Sequence, residues 1–144
     1  MIADTAAVVD TMVLSYLMVD PLPPLARAYR DRHLVGRRLI VAAQTAAELR
    51  AGARLASWGD RRMAALEDRL SRLRVAGVDG ATIHAYAELK HDCVKAGHAL
   101  GAKAHDGDRW IAATARRYDI PLVSHDSIFR NVVGLDVRTE LERP

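Results

Sequence analysis

Four acidic residues occur where apolar segments of the sequence meet helix-forming segments, and their side chains have the chemistry to bind a metal ion. Asp10 ends the apolar run AAVVD, and Glu48 lies in the helix-forming segment that follows LIVAA. Asp108 opens DRWIAATARRY, and Asp126 lies three residues after the apolar segment IPLV. Clustered carboxylates raise one another's pKa unless a cation neutralises them. The pattern therefore predicts a metal site if the fold brings these positions together.

Apolar runs alternate with helix-forming segments along the chain, which is typical of a parallel sheet covered by helices. Strands are predicted at AAVV, LIVAA, VAGV, IPLV and VVGLDV. Helices are predicted at 23–34, 45–56, 63–73 and 81–95 and in DRWIAATARRY. Gly97 and Gly101 mark either the end of the fourth of these helices or a kink in it. The predicted fold class is α/β, a three-layer sandwich with a central parallel sheet flanked by helices. Ligands bind beyond the carboxyl ends of the strands in such sheets, where these acids should meet.

The ligand set indicates which ion and which reaction to expect. Carboxylate oxygens without cysteine or histidine favour a hard ion, either Mg²⁺ or Mn²⁺. Such an ion activates water and stabilises the charge that builds on a phosphodiester. The residues therefore predict metal-dependent hydrolysis of a nucleic acid. The formal net charge of +3 permits binding to a phosphate backbone without requiring it.

Each acid also has a simpler interpretation, because acidic side chains stabilise the starts of helices. Thr45 followed by Glu48 matches a capping box, in which Thr is the N-cap and Glu the third helical residue. Asp10 and Asp126 are candidate caps for the helices after them, and Asp106 for the DRWIAATARRY helix. Caps alone do not explain why acids follow three separate strands, so the joint pattern favours a shared site.

Length and composition predict one globular domain over residues 1–144, since half of the residues are hydrophobic. The single cysteine, Cys93, excludes an internal disulfide and is expected in the core, as are Trp110 and Phe129. The N-terminal segment lacks the basic region of a signal peptide, and the apolar runs are too short to span a bilayer. We expect a soluble, cytoplasmic protein without a membrane partner.

The quoted segments also resemble the motifs of a known family. VVDTMVLSYL, TAAELRAGA and DRWIAATARRYDIPLVSHDSIFRNVVGLDV are similar, in order and spacing, to the motifs of PIN-domain ribonucleases, and more closely to those of VapC-type toxins of bacterial toxin–antitoxin pairs. The resemblance covers nearly the whole chain. It implies a PIN-like sandwich and a Mg²⁺-dependent endoribonuclease, in which Mn²⁺ can substitute, that cleaves RNA. It further implies a cognate antitoxin, with a segment lying across the active cleft, and a homodimer.

The resemblance assigns roles to individual residues. The four acids of the family fall on Asp10, Glu48, Asp108 and Asp126. Of these, Asp10, Asp108 and Asp126 would be direct or water-bridged metal ligands, and Glu48 would complete the cluster and orient the attacking water. Ser124 takes the position of a hydroxyl that precedes the fourth acid, where it would hold a carboxylate or water.

Two positions depart from the pattern of the family. Met12 and Gly107 each replace an asparagine that many relatives carry, and a thioether cannot donate the hydrogen bond that an amide donates. Asp106 is an additional acid beside the third motif, and it is either a substitute ligand or a helix cap. The alternative function is a catalytically inactive PIN module that binds RNA or protein without cleaving.

Histidines form two further groups in the sequence. His84, His91 and His98 repeat every seven residues, which predicts a polar stripe along one helix rather than a metal site. His105 and His125 flank the proposed acids, where they would either contact RNA, move protons or lie exposed without a role.

Overall fold

The computed structural model describes residues 6–143, which contain a five-stranded, entirely parallel sheet with the strand order β3–β2–β1–β4–β5. The strands are β1 (Ala6–Val9), β2 (Arg38–Ala42), β3 (Arg74–Ala76), β4 (Leu122–Val123) and β5 (Val137–Arg138). The sheet is central to the fold, and helices cover both of its faces. The predicted α/β sandwich is therefore confirmed.

Six α-helices connect the strands within the described residues 6–143. They are α1 (Thr11–Leu17), α2 (Pro24–Tyr29), α3 (Ala43–Leu55), α4 (Asp60–Ser71), α5 (Gly80–Ala96) and α6 (Asp106–Tyr118). A π-helical turn (Arg30–Leu34) extends α2, and short 3₁₀ turns occur at Ala99–Gly101, Lys103–His105 and Ser127–Phe129. None of the helices in residues 6–143 is long and apolar enough to cross a lipid bilayer.

The central strand β1 is buried on both faces, as expected for a strand that reads as a continuous apolar run. Ala6 and Val8 pack against residues of α5 and α6 on one face of the sheet. Ala7 and Val9 face the opposite side, where they pack against residues of α1 and α2. Side chains alternate along a strand, so this one short segment contributes to both hydrophobic layers.

The strand order places a topological switch point between β1 and β4. From β1 the chain continues to β2 on one side of it, whereas β4 lies on the other side. The two strands are paired in register, with Val9 opposite Val123, and the Asp10 N–H donates to the Val123 carbonyl at 3.0 Å. The residues directly after both strands are thereby brought together at the edge where open parallel sheets bind ligands.

Two of the predicted strands differ from the observed ones. The segment VAGV was predicted as a strand, but β3 begins earlier, at Arg74, and ends at Ala76. The segment VVGLDV was predicted as the last strand, but only Val137–Arg138 pairs with the sheet. Gly134, inside this segment, has a φ angle of 76°, and its left-handed conformation makes a turn where a strand was predicted.

Gly97 ends α5, which is one of the alternatives that the sequence left open, and this changes the interpretation of the histidines. Gly97 adopts a left-handed conformation (φ 68°), and the His98 N–H donates to the Cys93 carbonyl at 2.8 Å. His98 therefore lies beyond the helix, where its Nδ1 accepts from the Leu100 N–H. The predicted stripe of three histidines on one helix is wrong, because only the first two belong to α5.

The packing of β4 leads to a test of the fold. Leu122 is fully buried between the helices of the α5–α6 layer, whereas Leu55, at the end of α3, is 87% exposed. We expect Leu122→Ala to lower the free energy of unfolding by about 2–5 kcal/mol, since it deletes core contacts and leaves a cavity. Leu55→Ala should change it by less than about 0.5 kcal/mol. Urea denaturation followed by circular dichroism measures both, and equal losses would contradict the assignment of β4 to the core.

Candidate active site

A cleft of about 270 Å³ opens at the carboxyl edge of the sheet. Its lining contains all four predicted acids and comprises Asp10, Thr11, Met12, Glu48, Asp108, Ile111, Asp126 and Phe129. These acids come from four separate places in the fold: the end of β1, the second turn of α3, the first turn of α6 and the segment after β4. The structure thus brings together residues that are up to 116 positions apart in the chain.

Asp10 is the most deeply buried of the four acids, with 3% of its surface exposed. Its Oδ1 accepts a hydrogen bond from the Val13 N–H at 2.8 Å, and its Oδ2 accepts from the Ser124 hydroxyl at 2.5 Å. The first of these bonds caps α1, so the predicted cap is confirmed. Burial raises the pKa of Asp10, the two hydrogen bonds oppose that shift, and the nearby charge of Asp126 adds to it.

Ser124 connects the two acids that follow β1 and β4. Its side chain is fully buried, donates to Asp10 and accepts from the Asp126 N–H at 3.0 Å. The Asp126 Oδ1 accepts from the Ile128 N–H at 3.0 Å, which confirms that this acid caps the following 3₁₀ turn. One hydroxyl therefore fixes the carboxylate of one acid and the backbone of the other.

Glu48 is held by hydrogen bonds to both of its carboxylate oxygens. The Thr11 hydroxyl donates to Oε2 at 2.5 Å, and the Gln44 side-chain amide donates to Oε1 at 3.1 Å. The buried Thr45 hydroxyl lies 3.0 Å from the Thr11 hydroxyl. Because Thr11 has a single hydroxyl hydrogen, and that hydrogen goes to Glu48, Thr45 is the donor of the second pair.

The predicted capping box at Thr45 is wrong. The helix α3 follows β2 without a loop and begins at Ala43, so Thr45 is its third residue and Glu48 lies in the second turn. The N-cap residue is Ala42, whose side chain makes no capping hydrogen bond. Alanine has the highest helix propensity, which favours starting the helix two residues earlier than the Thr–Glu motif suggests.

Asp108 and Asp106 have different surroundings, although both lie in the first turn of α6. The Asp108 Oδ2 lies 2.9 Å from the Nδ1 of His105, and Asp108 faces the cleft. Asp106 does not line the cleft, since it contacts the Tyr86 hydroxyl and lies 3.3 Å from the Arg109 guanidinium. The N-cap of α6 is His105, so the prediction that Asp106 caps the helix is wrong.

The partners of Asp106 belong to a cluster that the sequence did not suggest. Arg109 is only 2% exposed, and its guanidinium donates to the carbonyl oxygens of Leu100 at 2.8 Å and Ala102 at 2.5 Å. Tyr86 contacts the same guanidinium and stacks on Trp110, with ring centroids 4.0 Å apart. This cluster fixes the segment that leads into α6. In the sequence, Arg109 follows Asp108 directly, and two adjacent charged residues are typical of an exposed helix face.

A second buried hub supports the segment that carries Ser124 and Asp126. The fully buried Tyr29 has its hydroxyl 3.1 Å from the Ser124 carbonyl and 2.5 Å from the Nδ1 of His125, and it accepts from the Glu140 N–H at 3.0 Å. Three distant segments meet at this hydroxyl. The ring of His125, which flanks a predicted acid, is thus held against Tyr29.

The donors of the cleft fit a hard, partly hydrated cation. Within residues 6–143, no three acidic, histidine or cysteine side chains stand close enough together to bind one ion directly. Mg²⁺ usually keeps several waters and is held by one or two carboxylates plus substrate phosphates, so it does not require such a group. The buried Asp10, whose pKa is raised by burial and by Asp126, is a site that a divalent cation would stabilise electrostatically.

A family model of the PIN domain matches residues 7–135. The chain belongs to the PIN domain family. The PIN fold also recurs in solved structures, among them three VapBC complexes. DNA-bound VapBC from Salmonella typhimurium has a TM-score of 0.76 and 20% identity, and the alignment covers 94% of this chain and 98% of that chain. Comparison with curated proteins found no match.

The other two structures give the same coverage. VapBC2 from Rickettsia felis, bound to a promoter DNA fragment, has a TM-score of 0.75 and 19% identity, covering 94% of this chain and 98% of that chain. VapBC-1 from nontypeable Haemophilus influenzae has a TM-score of 0.74 and 24% identity, again covering 94% and 98%. At these identities the similarity establishes a shared PIN fold.

The raised pKa of Asp10 leads to a test by pH. Between the unfolded pKa and the raised folded pKa, the folded protein binds more protons at Asp10 than the unfolded chain does. The contribution of Asp10 to stability is therefore fully present below about pH 3.9 and is lost as the pH rises through the raised folded pKa. Asparagine does not titrate, so Asp10→Asn does not lose this stability as the pH rises. Its free energy of unfolding should therefore rise relative to wild type between the unfolded and the folded pKa of Asp10.

Denaturant titrations between pH 3 and pH 8 measure this difference. Asp68→Asn is the matched control, since Asp68 lies exposed on α4 and outside the cleft. A constant difference between Asp10→Asn and wild type over the whole range would contradict a raised Asp10 pKa.

Proposed function

We propose that this PIN domain is a metal-dependent endoribonuclease and a toxin of the VapC type. The observation that carries the proposal is the convergence of four carboxylates from four separate elements on one cleft at the carboxyl edge of a PIN sheet. Asp10, Glu48, Asp108 and Asp126 would together hold a partly hydrated Mg²⁺, directly or through its waters, and Mn²⁺ can substitute for it. Cytoplasmic RNA would be the substrate, as the resemblance of the motifs to PIN-domain ribonucleases implies.

The bound ion would supply a water activated for attack and would stabilise the charge that builds on the scissile phosphodiester. The residues of the chain orient its ligands. Val13 and Ser124 fix both oxygens of Asp10, so that this carboxylate need not reorganise when a cation binds. Asp126 is linked to Asp10 through Ser124, and the two acids are close enough for the charge of Asp126 to raise the pKa of Asp10.

Glu48 and Asp108 face the cleft from the two helices that flank it. Thr11 and Gln44 hold the carboxylate of Glu48, which suits it to orient the attacking water and to accept its proton. Asp108 is held by His105 at 2.9 Å and would bind the ion directly or through water. The net charge of +3 is compatible with binding of a polyanionic substrate.

A second groove supports the proposal of an antitoxin partner. It has a volume of about 690 Å³ and shares Thr11 and Glu48 with the cleft. Its lining is mostly apolar and includes Met18, Val19, Leu49, Ala53, Trp58, Ala65 and Leu66, and it also contains Arg62 and Arg69. Such a groove suits an apolar segment that carries acidic residues. A segment bound there would reach Glu48 and cover the cleft.

The structural relatives agree with this part of the proposal. The similar chains come from VapBC complexes, and two of those complexes are bound to DNA. We propose that this chain likewise has a cognate antitoxin, and that it forms a homodimer as the resemblance implies.

The central test is cleavage of RNA by the purified protein. We expect cleavage in Mg²⁺, none in a chelator, and restoration when the metal is returned. Asp10→Asn and Asp126→Asn should each lower the rate by more than the roughly 10–100-fold that loss of an outer-shell partner costs, because each removes a ligand. Asp68→Asn should cleave as wild type does, and circular dichroism verifies folding.

The alternative is a catalytically inactive PIN module that binds RNA or a protein. Two observations favour it: the described residues bring no three potential ligands within reach of one ion, and Met12 is an apolar residue in the lining of the cleft. RNA binding by the folded protein without metal-dependent cleavage would support this module and exclude the nuclease.

The antitoxin proposal has its own test in cells. Expression of the chain should arrest growth, Asp10→Asn should not, and co-expression of a small gene adjacent to it should restore growth. Ala65→Glu, in the groove, should weaken this rescue because it puts a charge among the apolar side chains. Ala64→Glu is the matched control, since Ala64 is the preceding exposed alanine on α4 and lies outside the groove.

Cleavage by both alanine variants is measured without the antitoxin, so that weaker neutralisation is separated from a change in activity. Equal rescue of the two variants would contradict the groove as the antitoxin site.

A further inference from the structure

The orientation of Glu48 depends on a contact that its own helix provides. Gln44 lies one turn earlier on α3, and its amide Nε2 donates to the Glu48 Oε1 at 3.1 Å. Since Thr11 binds the other oxygen, the carboxylate is held from two sides while it faces the cleft. A hydrogen bond to a charged acceptor is stronger than one between neutral groups, so the amide is an effective anchor.

The first turn of α6 passes very close to this pair. A Cβ built at Gly107 would lie 2.9 Å from the Gln44 Nε2 and 3.1 Å from the Glu48 Oε1. Cβ atoms in proteins do not approach other heavy atoms more closely than about 3.0 Å. The conformation of Gly107 does not belong to the left-handed region, so the requirement at this position is for space.

We infer that Gln44 and Gly107 form a matched pair that positions Glu48. Gln44 supplies the hydrogen bond, and the absence of a side chain at Gly107 leaves room for the Gln44 amide between α3 and α6. The amide is neutral, so it orients the carboxylate without cancelling the negative charge that attracts a cation. A lysine or arginine in its place would cancel that charge. The consequence for catalysis rests on the proposed nuclease function.

A side chain at Gly107 should affect the site without lowering the stability of the fold. The two atoms nearest to the added Cβ are the ends of flexible side chains, which move at little cost. Alanine also has a higher helix propensity than glycine. Gly107→Ala should therefore leave the unfolding temperature unchanged or raise it, while it displaces the Gln44 amide and loosens Glu48. A residue with a purely structural role would not combine a stable fold with a weaker site.

A double-mutant cycle tests the pairing. Gln44→Ala and Gly107→Ala should each lower Mg²⁺ affinity and kcat/KM for RNA by roughly 10-fold, the scale seen when a residue that orients a metal ligand is lost. The double variant should be no worse than either single variant, because the second change removes a contact that is already absent. Mg²⁺ affinity is measured by calorimetric titration of the metal alone.

The matched control is Gly80→Ala. Gly80 begins α5, as Gly107 lies in the first turn of α6, but a Cβ at Gly80 meets no atom within 4 Å. It should match wild type in Mg²⁺ affinity and cleavage. Additive losses in the double variant, or wild-type Mg²⁺ affinity in Gly107→Ala, would overturn the pairing.

A spectroscopic measurement distinguishes failure of this inference from failure of the proposed function. In ¹⁵N NMR spectra, one side-chain amide proton of Gln44 should be shifted downfield and exchange slowly, and Gly107→Ala should abolish both properties. If wild type does not cleave RNA but shows this signature, the nuclease proposal fails and the positioning of Glu48 stands. If wild type cleaves RNA and the signature is absent, the positioning by Gln44 fails alone.

Discussion

The buried carboxyl group of Asp10 is the constraint on which the rest of the site depends. A carboxylate that is almost removed from water loses its hydration, and here it also has Asp126 nearby. Two hydrogen-bond donors offset the lost hydration, namely the Val13 N–H and the Ser124 hydroxyl. The Val13 N–H belongs to the first turn of α1, whereas the Ser124 hydroxyl is available only because β1 and β4 are neighbours that end at the same level of the sheet. The register of the sheet therefore helps to determine how well the carboxylate of Asp10 is stabilised.

The second constraint is that carboxylates from helices must point to the same place as those from strand ends. Glu48 is fixed by Thr11, so the start of α1 helps to orient a residue of α3. The entry into α6 is fixed by the buried Arg109, which binds carbonyl oxygens of the preceding segment. Tyr29 performs the same task for the segment after β4, through its hydroxyl. Buried polar networks of this kind specify one arrangement because each donor and acceptor has a partner.

Helix capping and cleft formation are not alternative explanations of the acids. Asp10 and Asp126 each use Oδ1 to cap the following turn, and each also lines the cleft. A carboxylate has two oxygens, so it can stabilise a helix start and still contribute negative charge to the cleft. Placing acids within three residues of the end of a parallel strand therefore satisfies local structure and site chemistry together. It also explains why a motif typical of caps can mark a site.

The sequence by itself determined the layered α/β fold and the acids that face the cleft. These features are carried by local patterns, namely buried apolar runs, helix-forming segments and the residue that follows each strand. The tertiary structure alone decided the close approach of Gly107 to Gln44. It alone also decided the burial of Arg109 and Tyr29. Each of these depends on contacts between segments far apart in the chain, which no local pattern encodes.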